Sequence, residues 1–170
     1  KKLVFNVTET TSGNVSFWYK GQLFYANLHD VVNASEAIID VSSFGKGIYD
    51  IVVSYNGDDY FNPSNVTVRF VIKETPNIIL NNIGDVYGNV DLKVNVTGNI
   101  TGLVYIYVDG FKHEIVNASK YTNDTTVFTV SLNNVSAGDH VITVEYPGDE
   151  IHFNNTVSME LFIKKANSYV

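Results

Sequence analysis

The chain repeats itself, and this repeat limits its possible folds more than any other feature. Four blocks of the first half recur in the same order in the second half. The matched pairs are 3–8 with 92–97, 13–21 with 102–110, 29–35 with 113–119, and 47–58 with 138–149. Because the order is kept while the spacing between blocks changes by a few residues, the pattern predicts two copies of one structural unit that differ in their loops.

Within these blocks, apolar residues alternate with polar ones, which is the pattern of a β-strand with one buried face. The corresponding apolar sets are Leu3, Phe5, Val7 with Leu92, Val94, Val96; Val15, Phe17, Tyr19 with Val104, Ile106, Val108; Ala37, Ile39, Val41 with Phe128, Val130, Leu132; Tyr49, Ile51, Val53, Tyr55 with His140, Ile142, Val144, Tyr146; and Val66, Val68, Phe70, Ile72 with Val157, Met159, Leu161, Ile163. Short strands separated by Gly and Asn, without helical periodicity, predict an all-β chain of two tandem immunoglobulin-like β-sandwich domains.

The repeat also predicts where the domains begin and end. Residues 1–74 form the first repeat, residues 75–165 form the second, and residues 166–170 start a further one, because 163–170 match 72–79. The first copy has no counterpart of 77–80, so we expect its sandwich to lack the first strand or to receive that strand from elsewhere. One candidate donor is the segment 167–170 of a neighbouring molecule, docked beside 3–7 as an added strand.

Composition excludes several functional classes. The chain has no cysteine, which removes disulfides, thiol catalysis and Cys-rich zinc sites. The net charge is −7 and the basic residues are scattered, so a nucleic acid or an anionic membrane is a poor partner. No apolar run approaches the roughly 20 residues of a membrane span. No grouping of nucleophile, base and orienting acid recurs, so we expect neither enzymatic activity nor a cofactor.

Two motifs recur in both copies. Residues 13–21 and 102–110 fit the pattern Gly-x-Val-x-Phe-x-Val-x-Gly, with Ile106 in place of Phe. Residues 47–58 and 137–149 fit Ala-Gly-x-Tyr/His-x-Val-x-Val-x-Tyr-x-Gly-Asp, and Lys46 stands in place of Ala in the first copy. These blocks resemble the bacterial-type Ig-like repeats of large surface proteins, including the adhesin-like proteins of methanogenic archaea. The resemblance implies an extracellular, cell-surface location in a long array.

Two functions follow from this resemblance. One is a structural stalk or spacer, whose partners are the neighbouring repeats of the same chain and whose array supports cell adhesion. The alternative is a binding module that recognises a host or microbial surface glycan or protein. Trp18, Tyr105 and Tyr107 occupy outward strand positions, where aromatic rings can stack on sugars or bury a partner. Ordinary cross-strand packing explains the same rings without a ligand.

Glycosylation sequons of the form Asn-x-Ser/Thr are unusually frequent in this chain. The ten candidate sites are Asn6, Asn14, Asn33, Asn65, Asn95, Asn99, Asn117, Asn123, Asn134 and Asn154. One interpretation is a glycoprotein, which requires an exported chain. The other is that Asn, Ser and Thr are simply favoured in turns and on exposed strand faces.

Histidines and acidic turns are the candidates for metal binding. His29 and His113 are interpreted as equivalent positions in separate domains, too isolated to share an ion, and His140 as a core residue with a hydrogen bond. The turns at 57–59 and 148–150 contain carboxylates that calcium accepts as ligands. Their other role is structural, with Gly allowing the turn while Asp58 and Asp149 accept hydrogen bonds from the loop backbone. We expect no metal site.

Overall fold

The computed structural model describes residues 1–8, 12–31, 34–81, 86–87, 90–121 and 124–165. Its contacts divide the chain into two compact units, Lys1–Ile72 and Lys73–Val170. This division falls two residues before the junction expected from the repeat. The expected third segment at 166–170, and with it the proposed donor strand at 167–170, lies outside the described residues.

The described part of the first unit has seven strands in two antiparallel sheets. The strands are β1 (Lys2–Val7), β2 (Asn14–Tyr19), β3 (Gln22–Asn27), β4 (His29–Val31), β5 (Ala34–Asp40), β6 (Gly47–Tyr55) and β7 (Ser64–Ile72). One sheet has the order β1-β5-β4 and the other β3-β2-β6-β7. The inward residues of both sheets form one core, as the alternation predicts.

The second unit has a related plan: among its described residues, the smaller sheet again has three strands, and the larger sheet has five strands instead of four. Its elements are β8 (Ile78–Asn81), β9 (Val86–Tyr87), β10 (Asp91–Thr97), β11 (Leu103–Val108), β12 (Phe111–Asn117), a 3₁₀ helix (Ala118–Lys120), β13 (Thr125–Ser131), β14 (Gly138–Tyr146) and β15 (Asn155–Lys164). The sheets have the orders β13-β10-β8 and β12-β11-β14-β15-β9, and β9 runs parallel to β15. The predicted class, two tandem immunoglobulin-like β-sandwich domains, is confirmed.

The two cores occupy the same positions but differ in chemistry. In the first unit, Phe17 and Phe24 stack with ring centroids 5.1 Å apart, and Phe44 meets Phe24 edge-on at 5.2 Å. The second core is mostly aliphatic, with Ile106 in the place of Phe17. Burying one such side chain contributes about 1.5–3 kcal/mol to stability. Each unit therefore has its own apolar core.

One of the four predicted block equivalences, that of 29–35 with 113–119, is wrong. His29 lies in β4, which pairs with β5, whereas His113 lies in β12, which pairs with β11. The counterpart of β12 in the first unit is β3, since β3 pairs with β2 as β12 pairs with β11, apart from a register shift between Ile106 and Tyr107 in the second unit. The segment after β12 forms the 3₁₀ helix, so similar residues at 29–35 and 113–119 fall on different elements. The two histidines are not equivalent.

The units also differ at one sheet edge. In the second unit, β10 lies between β8 and β13. Its counterpart β1 pairs with β5, and no other described strand joins it. β10 is therefore the central strand of its sheet, whereas its counterpart β1 is an edge strand.

Candidate binding faces and loop sites

An exposed apolar patch lies on the outer face of the four-stranded sheet in the first unit. Trp18 on β2 is 68% exposed and Tyr25 on β3 is 64% exposed. Leu23 is the direct cross-strand neighbour of Trp18 and is also exposed. Sequence reasoning identified Trp18 alone, although the alternation around the buried Phe24 places Leu23 and Tyr25 on the same face. This patch has the composition of a surface that stacks on sugars or contacts a protein.

The two predicted tyrosines on the corresponding face of the second unit are partly covered by side chains of that unit, whereas Ile115 on the same face is exposed. Tyr105 and Tyr107 are only half-exposed, and the ammonium group of Lys112 lies 4.8 Å from the centroid of the Tyr105 ring. Partial burial raises the pKa of Tyr107, and a hydrogen bond with the carboxylate of Glu145 raises it further. Of the three predicted ligand-binding residues, Tyr105 and Tyr107 therefore already contact other side chains of their own unit. Trp18, the third, belongs to the first unit, so the three do not form one site within either unit.

The recurring Tyr-x-Gly-Asp motif joins two loops at one end of each sandwich. The buried Tyr146 donates a hydrogen bond from its hydroxyl to the backbone oxygen of Thr101, at 3.0 Å. Tyr55 makes the equivalent bond to the backbone oxygen of Ser12, at 3.3 Å. Each tyrosine thus fills the core with its ring and holds a loop more than forty residues away in sequence.

The aspartate of the motif holds its own loop in both units. Asp149 Oδ1 accepts hydrogen bonds from the backbone N–H groups of Ile151 and His152, at 2.9 and 2.8 Å. Asp58 Oδ1 does the same for Tyr60 and Phe61, at 2.8 and 2.7 Å. This is the structural role predicted for these carboxylates. The same pair of backbone hydrogen bonds forms in both units, although the second donor belongs to Phe61 in the first unit and to His152 in the second.

The second oxygen of each aspartate reaches the neighbouring loop. Asp149 Oδ2 accepts from the Thr101 backbone N–H and hydroxyl, both at 2.9 Å, and the Ser12 hydroxyl donates to Asp58 Oδ2 at 2.7 Å. Buried His152 adds its Nδ1, 2.8 Å from Asp149 Oδ1. Burial alone would raise the pKa of Asp149, but these hydrogen bonds, that of His152 foremost, hold it well below its usual range. The lone pairs that calcium would need are already engaged.

The glycine of the motif is fixed by both conformation and space. Gly57 and Gly148 have φ values of +80° and +94°. A Cβ on Gly57 would lie 2.8 Å from the backbone oxygen of Phe61, and one on Gly148 would lie 2.9 Å from that of His152. Only glycine fits such a position.

Within the described residues, no group of three or more His, Asp or Glu is arranged to hold a metal ion.

His140 lies beside a groove of about 560 Å³ in the second unit. Its side chain is nearly buried; Nδ1 lies 2.7 Å from Asp109 Oδ2 and Nε2 lies 2.8 Å from the backbone oxygen of Ser136. Both partners are acceptors, so both bonds form only when the ring is protonated. The Asp109 carboxylate raises the pKa of His140, while burial opposes this. In the first unit Tyr49 takes this place and donates to the backbone oxygen of Gly45.

Eight of the ten sequon asparagines lie within the described residues, and Asn33 and Asn123 lie outside them. The exposed ones are Asn6, Asn65, Asn99, Asn117, Asn134 and Asn154, while Asn14 and Asn95 are half-buried. Asn95 lies in the middle of its sheet, opposite Ile79 and Val127, and its side-chain oxygen is buried. Exposure therefore divides the eight described candidate glycosylation sites into six exposed and two half-buried asparagines.

The described residues contain no helix with the length and hydropathy needed to span a membrane. Comparison with solved structures finds a match to the fibronectin(III)-like modules of CbhA from Clostridium thermocellum. The two chains are 19% identical, and the match covers 97% of this chain and 86% of that chain, with a TM-score of 0.38. No protein-family model and no curated protein matches the chain.

Proposed function

We propose that the chain is a pair of structural stalk or spacer repeats of a large, extracellular, cell-surface adhesin-like protein. In this role the two sandwiches hold a distal domain away from the cell and contact neighbouring repeats of the same chain. These repeats support cell adhesion without themselves recognising the ligand. The exposed sequons fit a glycoprotein, and the motif resemblance favours an archaeal source.

One observation carries this proposal: the repeat preserves the scaffold and changes the surface. Tyr146 and Asp149 have counterparts in the first unit with the same hydrogen bonds. Exposed Trp18, by contrast, corresponds to a half-covered Tyr107. Repeated binding modules would repeat the binding surface. Duplication of core and loop residues alone is what a spacer requires.

The second candidate is a carbohydrate- or protein-binding module. It is supported by the exposed patch of Trp18, Leu23 and Tyr25, which is the kind of aromatic surface that sugars stack on. In this alternative only the first unit binds, because Tyr105 and Tyr107 of the second unit are half-exposed and engaged by Lys112 and Glu145.

A glycan array with the intact chain and with Trp18→Ala separates the two functions. The spacer role predicts that neither chain binds any glycan above background. Saturable binding that Trp18→Ala abolishes, while Tyr107→Ala leaves it unchanged, would establish the binding role and contradict the spacer. The pair Trp18 and Tyr107 is a matched control because both occupy the same strand position in their units.

A further inference from the structure

The inner face of β1 in the first unit is incompletely covered. Its inward residues Leu3, Phe5 and Val7 are only half-buried. Their counterparts on β10 are almost fully buried: Leu92 is 1% exposed, and Val94 and Val96 are 0% exposed. The two sets have the same phase and face the same kind of core. The difference therefore comes from what lies beside the strand.

In the second unit, β8 covers this position. It pairs antiparallel with β10, and Ile78 and Leu80 stand opposite Val96 and Val94. Ile78 is 4% exposed and belongs to the core, and Leu80 packs against it. These two side chains close the sandwich at the point where the first unit is open.

The first unit has a groove of about 220 Å³ at the same place. Its apolar lining includes Phe5 and Val7 on β1, Tyr55 on β6 and Val66 on β7. Val66 is the cross-strand partner of buried Val53, yet it is 56% exposed. The groove thus lies between the two sheets, where side chains of an additional strand would enter.

The polar groups that hold β8 also have counterparts around this groove. Asn77 donates its N–H to Thr97 Oγ1, and the Thr97 N–H donates back to the Asn77 carbonyl, at 3.1 and 3.0 Å. Thr8, the counterpart of Thr97, lines the groove of the first unit. Asn155 holds the Pro76 carbonyl at 2.9 Å, and its counterpart Ser64, which also carries a donor, lines the same groove.

We propose that this groove is the docking site for an extended β-strand with the sequence type of Pro76–Asn81, the opening strand of a repeat of this same kind. The strand runs antiparallel to β1. Its apolar residues at the positions of Ile78 and Leu80 cover Val7 and Phe5, and its backbone bonds to Thr8. The second unit supports this occupant, because there the counterparts of Phe5, Val7, Thr8 and Ser64 pair with or hydrogen-bond to that strand.

Two N-terminal extensions of the full chain test this assignment. One joins residues 74–89 to Lys1, as they precede Val90 in the second unit, and the other is identical except for Ile78→Asp and Leu80→Asp in the extension. We expect the unmodified extension to raise the thermal midpoint of the first unit by about 5 °C or more over the Asp-containing one. We also expect it to slow amide exchange at Thr8 by at least about tenfold. Equal midpoints and equal exchange would overturn the proposal.

Peptides of residues 74–81, with the native sequence or with the two aspartates, provide the same comparison if an extended chain fails to fold. Added to the unextended protein, the native peptide should shift the NMR signals of Phe5, Val7 and Val66 in a saturable way, and the Asp peptide should not. No difference between the peptides would contradict the assignment. Concentration-dependent protection of the same residues without any peptide would mean that another part of a second copy occupies the groove, because 78–81 is already paired with β10 in each copy, and the proposal would then be wrong.

Discussion

Asp149 and Thr101 are joined by two hydrogen bonds of 2.9 Å, from the backbone N–H and from the hydroxyl of the threonine to one carboxylate oxygen. The other oxygen of Asp149 holds the backbone of its own loop. This single side chain therefore ties together two loops at one end of the second sandwich. Asp58 performs the same task with Ser12 in the first.

The first prediction concerns the charge of this carboxylate. Asp149→Asn keeps one acceptor but loses the charge, so it should reduce the free energy of unfolding of the second unit by about 2 kcal/mol. Urea unfolding followed by amide NMR of each unit measures this change. Asp91→Asn, which alters an exposed aspartate of the same unit, should change the free energy by less than about 0.5 kcal/mol. Equal effects of the two substitutions would refute the structural role of Asp149.

The second prediction is a pH dependence from His140. Its pKa is raised in the folded unit, so the unit gains stability that is fully present below the unfolded pKa of about 6.5. That stability is lost as the pH rises through the higher, folded pKa. The lowered pKa of Asp109 acts in the opposite sense, because its contribution is present above about 3.9 and is lost as the pH falls. The pair therefore stabilises the unit most between about pH 4 and pH 6.5.

NMR titration of the His140 ring gives its folded pKa, and thermal midpoints between pH 6 and pH 9 give the linked stability. We expect a pKa above 6.5 and a midpoint that falls with rising pH. His140→Tyr, which installs the residue found at Tyr49, should remove the part of this slope that belongs to the pair. A His140 pKa below 6.5 would show that burial outweighs the Asp109 contact.

The third prediction compares two substitutions of Tyr146. Tyr146→Phe keeps the ring and loses the bond to Thr101, so it should cost about 1 kcal/mol. Tyr146→Ala empties a fully buried site, which typically costs about 3–5 kcal/mol, and should abolish cooperative unfolding of the second unit. The first unit should keep its NMR spectrum in both variants. A shift of only a degree or two in the midpoint of Tyr146→Ala would contradict the buried position.

The fourth prediction concerns the sequons. A glycan is bulky and hydrophilic, so exposed sites such as Asn134 and Asn154 can carry one in the folded protein. Asn95 should be unmodified, because its side chain lies between two neighbouring strands. Glycopeptide mass spectrometry of protein from its natural source tests both statements. Occupancy at Asn95 equal to that at Asn134 would contradict the role of exposure, and an unmodified Asn134 would contradict glycosylation at the exposed sites.

The alternation of apolar residues predicted the sandwich core well, because inward positions such as Val104 and Val144 depend only on the period of a strand. The role of Asp149 was also predictable, since Asp after Gly in a turn commonly binds the loop backbone. The equivalence of His29 and His113 failed because a short matching string does not reveal which strand it joins. The contact between Asp109 and His140 was not predictable, because it depends on how the β11–β12 turn meets β14.

Single-molecule force spectroscopy tests most directly the central claim, that the chain is two separately folded copies of one structural repeat. Pulling from residue 1 and residue 170 should give two separate unfolding events. Each should release roughly 200–300 Å of chain, at up to about 3.6 Å per residue. Tyr146→Ala should remove or weaken one event and leave the other at its original force. A single event that releases both lengths together would contradict the account, because it would mean that the two cores unfold as one.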